Sequence, residues 1–292
     1  MSLIVTGASG ALGRRAAELL LDRVDPASVV LVTRSPDKLS DLAARGAQVR
    51  AGDFDDGASL ETAFAGGERL LLISTDRIGA RIPQHRAAVE AAKAAGVGFI
   101  AYTSVLNPVP ENPAGVVPDH AATEAMLRES GLRWAFLRNG VYGEWAAAGA
   151  ASAAEAGELR TNEGDGRVAY VSREDCAAAA AAVLAGPGYE DEVLDVTGPE
   201  ALSAGDRAAL FAEVTGAPVA VVELSDEERI ADLVDAGMSP TAAERTASYG
   251  RAIREGAFDG VSDVVERTTG RAPRTLRAIL DAARAQVQPL TR

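Results

Sequence analysis

Gly7, Gly10 and Gly13 are the residues whose type and spacing first point to chemistry. They fall in Leu3–Gly13, Leu-Ile-Val-Thr-Gly-Ala-Ser-Gly-Ala-Leu-Gly. The apolar run Leu3–Val5 reads as a strand that ends at Gly7. A helix pattern follows, with Leu12, Ala16, Leu19 and Leu20 on one side and Arg14, Arg15 and Glu18 on another. Strand, tight turn and helix in that order form a dinucleotide-binding unit. Gly7 supplies the backbone angles of the turn. Gly10 removes a side chain where a pyrophosphate approaches, and Gly13 lets helix and strand pack closely. The helix N-terminus offers free N–H groups and a partial positive charge to the phosphates. Gly7, Ala8, Ser9, Gly10, Ala11 and Leu12 are the first candidate cofactor residues.

Arg34 is the next. It follows a second β-type run, Ser28–Thr33, at the place where an NAD-binding fold carries an acid for the ribose hydroxyls. A guanidinium there pairs with a 2′-phosphate and stacks on adenine, which predicts NADP(H) as the cofactor. Asp53, after the strand Gln48–Ala51, either accepts from the adenine amino group or caps the helix over 57–65. Ser74 and Thr75 end a fully apolar strand, Leu70–Ile73, and ligands bind outside the carboxyl ends of such strands. His85 lies near the start of a helix, Pro83–Ala95, and reads as a helix residue without chemistry. His120 and Glu124 lie one turn apart in a helix over 119–130.

These residues need a frame to hold them. Strands are predicted at 98–102, 134–137, 168–171 and 192–196, with helices at 146–156 and 175–184 between the later ones. Strand and helix alternate, which predicts an α/β fold, a Rossmann-type doubly wound parallel sheet. From Gly198 the texture changes: helices at 203–214, 225–235, 240–254 and 273–285 surround one strand at 219–223. This reads as a smaller C-terminal α/β subdomain closing over the strand ends. The expected division is 1–197 and 198–292, with some interleaving near 140–170.

The chain has 292 residues, of which 47% are hydrophobic, enough for a sizeable core. Its net charge is −13, and no Lys/Arg-rich run appears, which argues against nucleic acid and anionic membranes as partners. One cysteine, Cys176, and two histidines leave no metal-ligand cluster, so no metal is expected. Cys176 sits in an Ala-rich helical stretch and reads as a small buried residue. No signal-peptide pattern or spanning helix is visible, and the expectation is a cytoplasmic protein, with a homodimer allowed.

Together these segments resemble the NmrA-like branch of the atypical short-chain dehydrogenase/reductases. The resemblance runs from end to end. It rests on residues 5–13, Arg34, Leu-Leu-Leu-Ile-Ser at 70–74, Pro-Gln-His-Arg at 83–86 and Ala-Ala-Lys-Ala-Ala-Gly-Val at 91–97. Phe-Ile-Ala-Tyr-Thr-Ser at 99–104, Leu-Arg-Asn-Gly-Val-Tyr at 137–142 and Gly-Asp-Gly-Arg at 164–167 continue it. The resemblance implies that Gly7–Leu12 and Arg34 hold the adenine-nucleotide end of the cofactor. It implies that Ser74, Thr75, Asn139, Gly140, Val141, Tyr142, Glu144 and Arg167 line the nicotinamide end.

Most short-chain dehydrogenases pair a tyrosine with a lysine four residues later, which lowers the phenol pKa for proton transfer. The only lysines here are Lys38 and Lys93, and neither follows a tyrosine by four. His120 and Glu124 stand where the pair is expected. Alcohol oxidation, which needs a strong positioned base, is therefore disfavoured. Hydride transfer to an electron-poor quinone needs mainly placement, and a proton from water or a nearby acid completes it. His120 is the candidate acid; a helix histidine without chemistry is the alternative. Tyr102 and Ser104 are weaker candidates. The expected function is an NADPH-dependent oxidoreductase acting on a small quinone-type acceptor. The alternatives are a non-catalytic NADP(H)-binding redox sensor and a reductase or epimerase of the isoflavone-reductase kind.

Overall fold

The computed structural model describes residues 1–77 and 79–287. The first half winds strand by strand: β1 (Leu3–Val5), α1 (Ala11–Leu21), β2 (Val29–Thr33), α2 (Ser40–Ala44), β3 (Gln48–Ala51), α3 (Gly57–Phe64), β4 (Arg69–Leu72), α4 (Arg81–Ala94), β5 (Phe99–Val105), α5 (Val117–Glu129) and β6 (Arg133–Asn139). The chain then leaves the sheet for α6 (Gly143–Ala156), β7 (Glu158–Thr161) and β8 (Arg167–Val168). It returns with α7 (Arg173–Ala185) and β9 (Glu192–Val196). β10 (Leu202–Ser203), α8 (Ala204–Thr215), β11 (Ala220–Glu223), α9 (Asp226–Asp235), α10 (Pro240–Arg254), α11 (Val264–Thr269) and α12 (Leu276–Val287) follow.

The main sheet has the order β3-β2-β1-β4-β5-β6-β9, and every pair in it is parallel. This is the doubly wound Rossmann arrangement expected from the sequence, with β9 as a seventh strand. β1, β2 and β5 are buried along their whole length, as central parallel strands must be when helices cover both faces. The edge strand β3 is half-exposed, which explains its polar Gln48 and Arg50. One core layer joins the sheet to α1 and α7. The other joins it to α3, α4 and α5. Five of the seven alanines of α7, Ala177 to Ala181, are buried, and their small side chains let this helix press against both the sheet and α1.

A third core lies over the carboxyl ends of the strands. It combines Val105 and Val141 with Ala153 of α6, Phe211 of α8, Ile253 of α10, Phe258 and Leu276. α6 packs on both α8 and α12, β7 pairs with β11, and β8 pairs with β10. α11 packs back on α7 and β9. Residues on either side of position 197 therefore share this cap, and the chain passes repeatedly between the two bodies. No helix among the described residues is long and apolar enough to cross a membrane.

Several helix starts differ from the sequence expectation. α4 begins at Arg81, two residues ahead of Pro83, because proline is tolerated anywhere in the first turn and not only at its first position. Asp56, not Asp53, caps α3 by accepting from the N–H groups of Ala58 and Ser59. β7 and α11 are too short and too charged to register as periodic patterns.

Candidate active site

A cleft of about 800 Å³ runs from the glycine turn, along the carboxyl ends of β4, β5 and β6, into the cap. At its first end the three glycines behave as their spacing predicts. Gly7 has φ +60°, in the left-handed region. A Cβ on Gly13 would lie 2.3 Å from the Gly7 carbonyl oxygen, so no side chain fits there. A Cβ on Gly10 would also press on that oxygen, at 3.3 Å, and the bare residue faces the cleft. α1 opens with no side-chain cap and no acid in its first turn. α3, α7, α8 and α9 are each capped by an Asp or Ser side chain, while α4, α5, α6 and α10 share the uncapped start of α1 but not its glycine cradle. The uncapped N–H groups of α1 and the bare cradle fit the pyrophosphate of a dinucleotide.

Ser9 Oγ bonds to Thr33 Oγ1 at 2.8 Å, which ties the turn to the end of β2. Arg34 follows directly, exposed, and its charge helps hold the Asp55 carboxyl below the usual carboxylate range, after the hydrogen bond from Gln84 and the nearer Arg77. Further along, Thr75 Oγ1 and Asn139 Oδ1 are buried without a partner, polar atoms left for a ligand. Asn139 donates to the Tyr142 hydroxyl at 3.3 Å. Burial raises the Tyr142 phenol, so it stays protonated at neutral pH.

Of the residues expected to bind cofactor, Gly7, Gly10, Ala11, Leu12, Ser74, Thr75, Asn139, Gly140, Val141 and Tyr142 line this one cleft. Ala8, Ser9, Arg34, Glu144 and Arg167 do not line it. Ala8 is packed beneath the turn, and Ser9 and Arg34 flank it. Glu144 and Arg167 have partners of their own, and Glu144 keeps its second carboxylate oxygen, Oε2, buried without one. Glu144 accepts from the Arg173 N–H at 2.9 Å and so serves the start of α7. Arg167 donates to the Ala201 carbonyl at 3.0 Å and reaches Asp206 at 3.4 Å, so it secures the start of α8.

His120 also lines the cleft, but not as a free acid. Its Nε2 lies 3.4 Å from Arg81 Nη1, and its Nδ1 lies 2.8 Å from the Tyr102 hydroxyl. A guanidinium can only donate, so Nε2 accepts and the proton of the neutral ring sits on Nδ1, facing Tyr102. Burial, with the Arg81 charge second, pushes the His120 pKa down to about 3. The ring is neutral at physiological pH and holds no proton toward the cleft. His85 carries more structure than a plain helix residue. Its Nε2 accepts from the Thr75 N–H at 3.2 Å and its Nδ1 donates to Thr123 Oγ1 at 2.9 Å. It fixes the loop that follows β4. Burial, then Arg81, pushes its pKa down to about 4.

Glu124 is 1% exposed. It accepts from Ser104 Oγ at 2.8 Å, from Arg138 at 2.9 and 2.7 Å, and from Arg128 at 3.0 Å. It has no free path to the cleft, and its work is to hold β5 and β6 in place where they deliver Ser104 and Asn139. Cys176 is buried and its thiol is pushed well up by burial, which removes it as a nucleophile. Among the described residues no group of three His, Cys, Asp or Glu is placed to hold a metal ion.

The far end of the cleft is aromatic. Tyr142 meets Trp145 edge-on at 5.6 Å, Trp145 meets Tyr249 edge-on at 5.9 Å, and Tyr249 stacks on Phe258 at 5.7 Å. Three of these residues lie far apart in sequence, on α6, on α10 and just beyond it. Arg81 is the main residue that sequence reading left out. Its place in the first turn of α4, marked by Pro83, is the signal that points it at the strand ends.

Comparison with known proteins agrees with this geometry. Residues 7–187 match the family described as NAD(P)H-binding. The chain is 38% identical over 274 residues to quinone oxidoreductase 2 of Escherichia coli (strain K12), covering 94% of this chain and 96% of the relative. The crystal structure of NADPH-dependent quinone oxidoreductase from Escherichia coli, complexed with NADPH, superposes with a TM-score of 0.92 at 37% identity, covering 97% and 99%. Triphenylmethane reductase of Citrobacter sp., complexed with NADP(H), superposes with a TM-score of 0.90 at 35% identity, covering 97% and 100%. The glycine turn, the uncapped helix and these likenesses together make the chain a member of the NAD(P)H-binding family.

Proposed function

We propose that this protein is an NADPH-dependent oxidoreductase that transfers hydride to a small quinone-type acceptor. One observation carries the reading. The cofactor end of the cleft opens straight into a slot walled by Trp145, Tyr249 and Phe258, with no tyrosine–lysine pair beside it. Flat aromatic walls suit a flat acceptor. The missing pair suits an acceptor that needs no strong base.

In this reading the glycine turn and the N–H groups of α1 hold the pyrophosphate, and Arg34 takes the 2′-phosphate. Asn139, Thr75 and Tyr142 orient the nicotinamide end. The dinucleotide supplies a hydride; with one proton from water the quinone becomes a hydroquinone. Tyr142 and Trp145 stand edge to face along one side of the slot. The likeness to quinone oxidoreductase supports this acceptor class.

The test is steady-state oxidation of NADPH and NADH by the purified protein with a panel of quinones. Quinone-dependent turnover preferring NADPH is expected. Binding of NADPH without turnover on any quinone would leave the sensor reading in its place. Arg34→Asp is expected to lower the NADPH-over-NADH preference about a hundredfold, because an ion-paired phosphate contact is replaced by repulsion. The change should fall on the KM for NADPH. An unchanged ratio would remove Arg34 as the selector.

A further inference from the structure

The cleft of this acidic chain is lined by five arginines: Arg81, Arg160, Arg207, Arg229 and Arg245. Three are neutralised on the spot. Arg160 pairs with Glu158 at 3.3 Å and with Asp232 at 2.6 Å, Arg229 also pairs with Asp232 at 2.6 Å, and Arg207 pairs with Glu163 at 3.0 Å. Arg81 and Arg245 have no carboxylate partner among the described residues. That is unusual for Arg81, which is only 9% exposed. Its partners are neutral: the Thr75 carbonyl oxygen at 2.5 Å and the lone pair of His120. A buried charge without a counter-charge is costly unless a ligand brings one.

The two guanidiniums without a carboxylate line the same cleft as Tyr249. The stem of Arg245 on α10 packs against Gly115, just ahead of α5, whose first turn carries His120. Both act on Tyr249: burial pushes its phenol up to about 12, and the charges of Arg81 and then Arg245 oppose that. The Tyr249 ring forms a wall of the aromatic slot. Two cations and a neutral phenol thus line the cleft that the aromatic slot belongs to.

We infer that the acceptor site selects aromatic acceptors bearing an anionic substituent, a carboxylate or sulfonate, with Arg81 and Arg245 as its counter-charges beside Tyr249. The inference rests on the quinone-reductase reading and names the substrate class within it. Arg81 supplies the fixed, buried charge, held by the Thr75 carbonyl. Arg245, half-exposed on the cap, supplies the second. A neutral quinone fills the slot but leaves Arg81 unpaired.

The test uses redox-inert probes of matched shape on the full protein loaded with NADP⁺. Naphthalene-2-sulfonate and 2-naphthol are titrated by calorimetry. The sulfonate is expected to bind at least about tenfold more tightly, and the advantage to shrink as salt rises from about 50 to about 500 mM. Arg245→Gln, a change at a half-exposed residue, should cut the advantage severalfold, and Arg245→Lys should restore part of it. Equal affinity of the two probes, or an advantage untouched by Arg245→Gln, would overturn the inference. Arg81→Gln separates the two sources of anion. If it weakens NADP⁺ binding and leaves the probe ratio unchanged, the counter-ion of Arg81 is a cofactor phosphate and the inference fails. Turnover with neutral 1,4-naphthoquinone but no preference for the sulfonate would sink the inference alone; no turnover with any quinone would sink the underlying reading.

Discussion

Replacing Glu124 with alanine is expected to destabilise the fold by about 3–5 kcal/mol, the range for breaking a buried ion pair from one side. The carboxylate holds Arg138 through two bonds and also receives Ser104 and Arg128. Its removal leaves the Arg138 guanidinium, half-buried between strands, without its main partner. Urea denaturation of the two proteins measures the difference. Replacing both partners, Glu124→Leu with Arg138→Met, should recover much of the loss, because a charge pair exchanged whole for apolar groups is often close to neutral. A loss under about 1 kcal/mol for Glu124→Ala would mean that the network adds little beyond its geometry. NADPH binding should weaken in the single variant as well, since β5 and β6 deliver Ser104 and Asn139 to the cleft.

The second large effect is on acid stability. His85 and His120 are the only histidines, and both are buried. Their pKa values are pushed down to about 4 and about 3, from an ordinary 6.5. In the unfolded chain both rings take up a proton as the pH falls through about 6.5; in the folded chain neither does until well below 5. The unfolded state thus binds more protons in this window, and stability falls as pH falls. The loss between pH 7.5 and 5 should be about 4 kcal/mol, approaching two protons of slope near pH 5.5. The urea midpoint measured across this range checks it, and His120→Gln should remove one proton of slope. A stability that stays flat from pH 7.5 to 5 would show that the rings are not held neutral.

Much of the site was legible because backbone requirements write themselves into residue type. A left-handed turn at Gly7 and a 2.3 Å approach at Gly13 admit only glycine, so the cradle could be read from three letters and the strand before them. The parallel sheet followed from the alternation of strands and helices along the chain. Side-chain direction is another matter. Nothing in the spacing of His120 and Glu124 says that one ring is locked between Arg81 and Tyr102 while the other residue turns to Arg138. Glu144 and Arg167 were assigned to the nicotinamide end by resemblance; here their tertiary partners are the starts of α7 and α8. The aromatic slot was invisible because Trp145, Tyr249 and Phe258 meet only once the cap closes.

The return of the chain to the sheet at β9, and again at α11, has a consequence in time. On a ribosome, β1 to β6 emerge in order and can begin to pair. The seventh strand follows only after α6, β7 and β8, and those wait for partners near positions 202 and 220. Asp175, fully buried at the start of α7, meets Arg271 at 2.5 Å and the Arg274 N–H at 2.8 Å, almost a hundred residues later. The glycine cradle is thus made early, but the walls of the slot close only when nearly the whole chain is present. A partly made chain can hold the cofactor cradle but not the acceptor walls, so the cleft is complete only when synthesis is nearly finished.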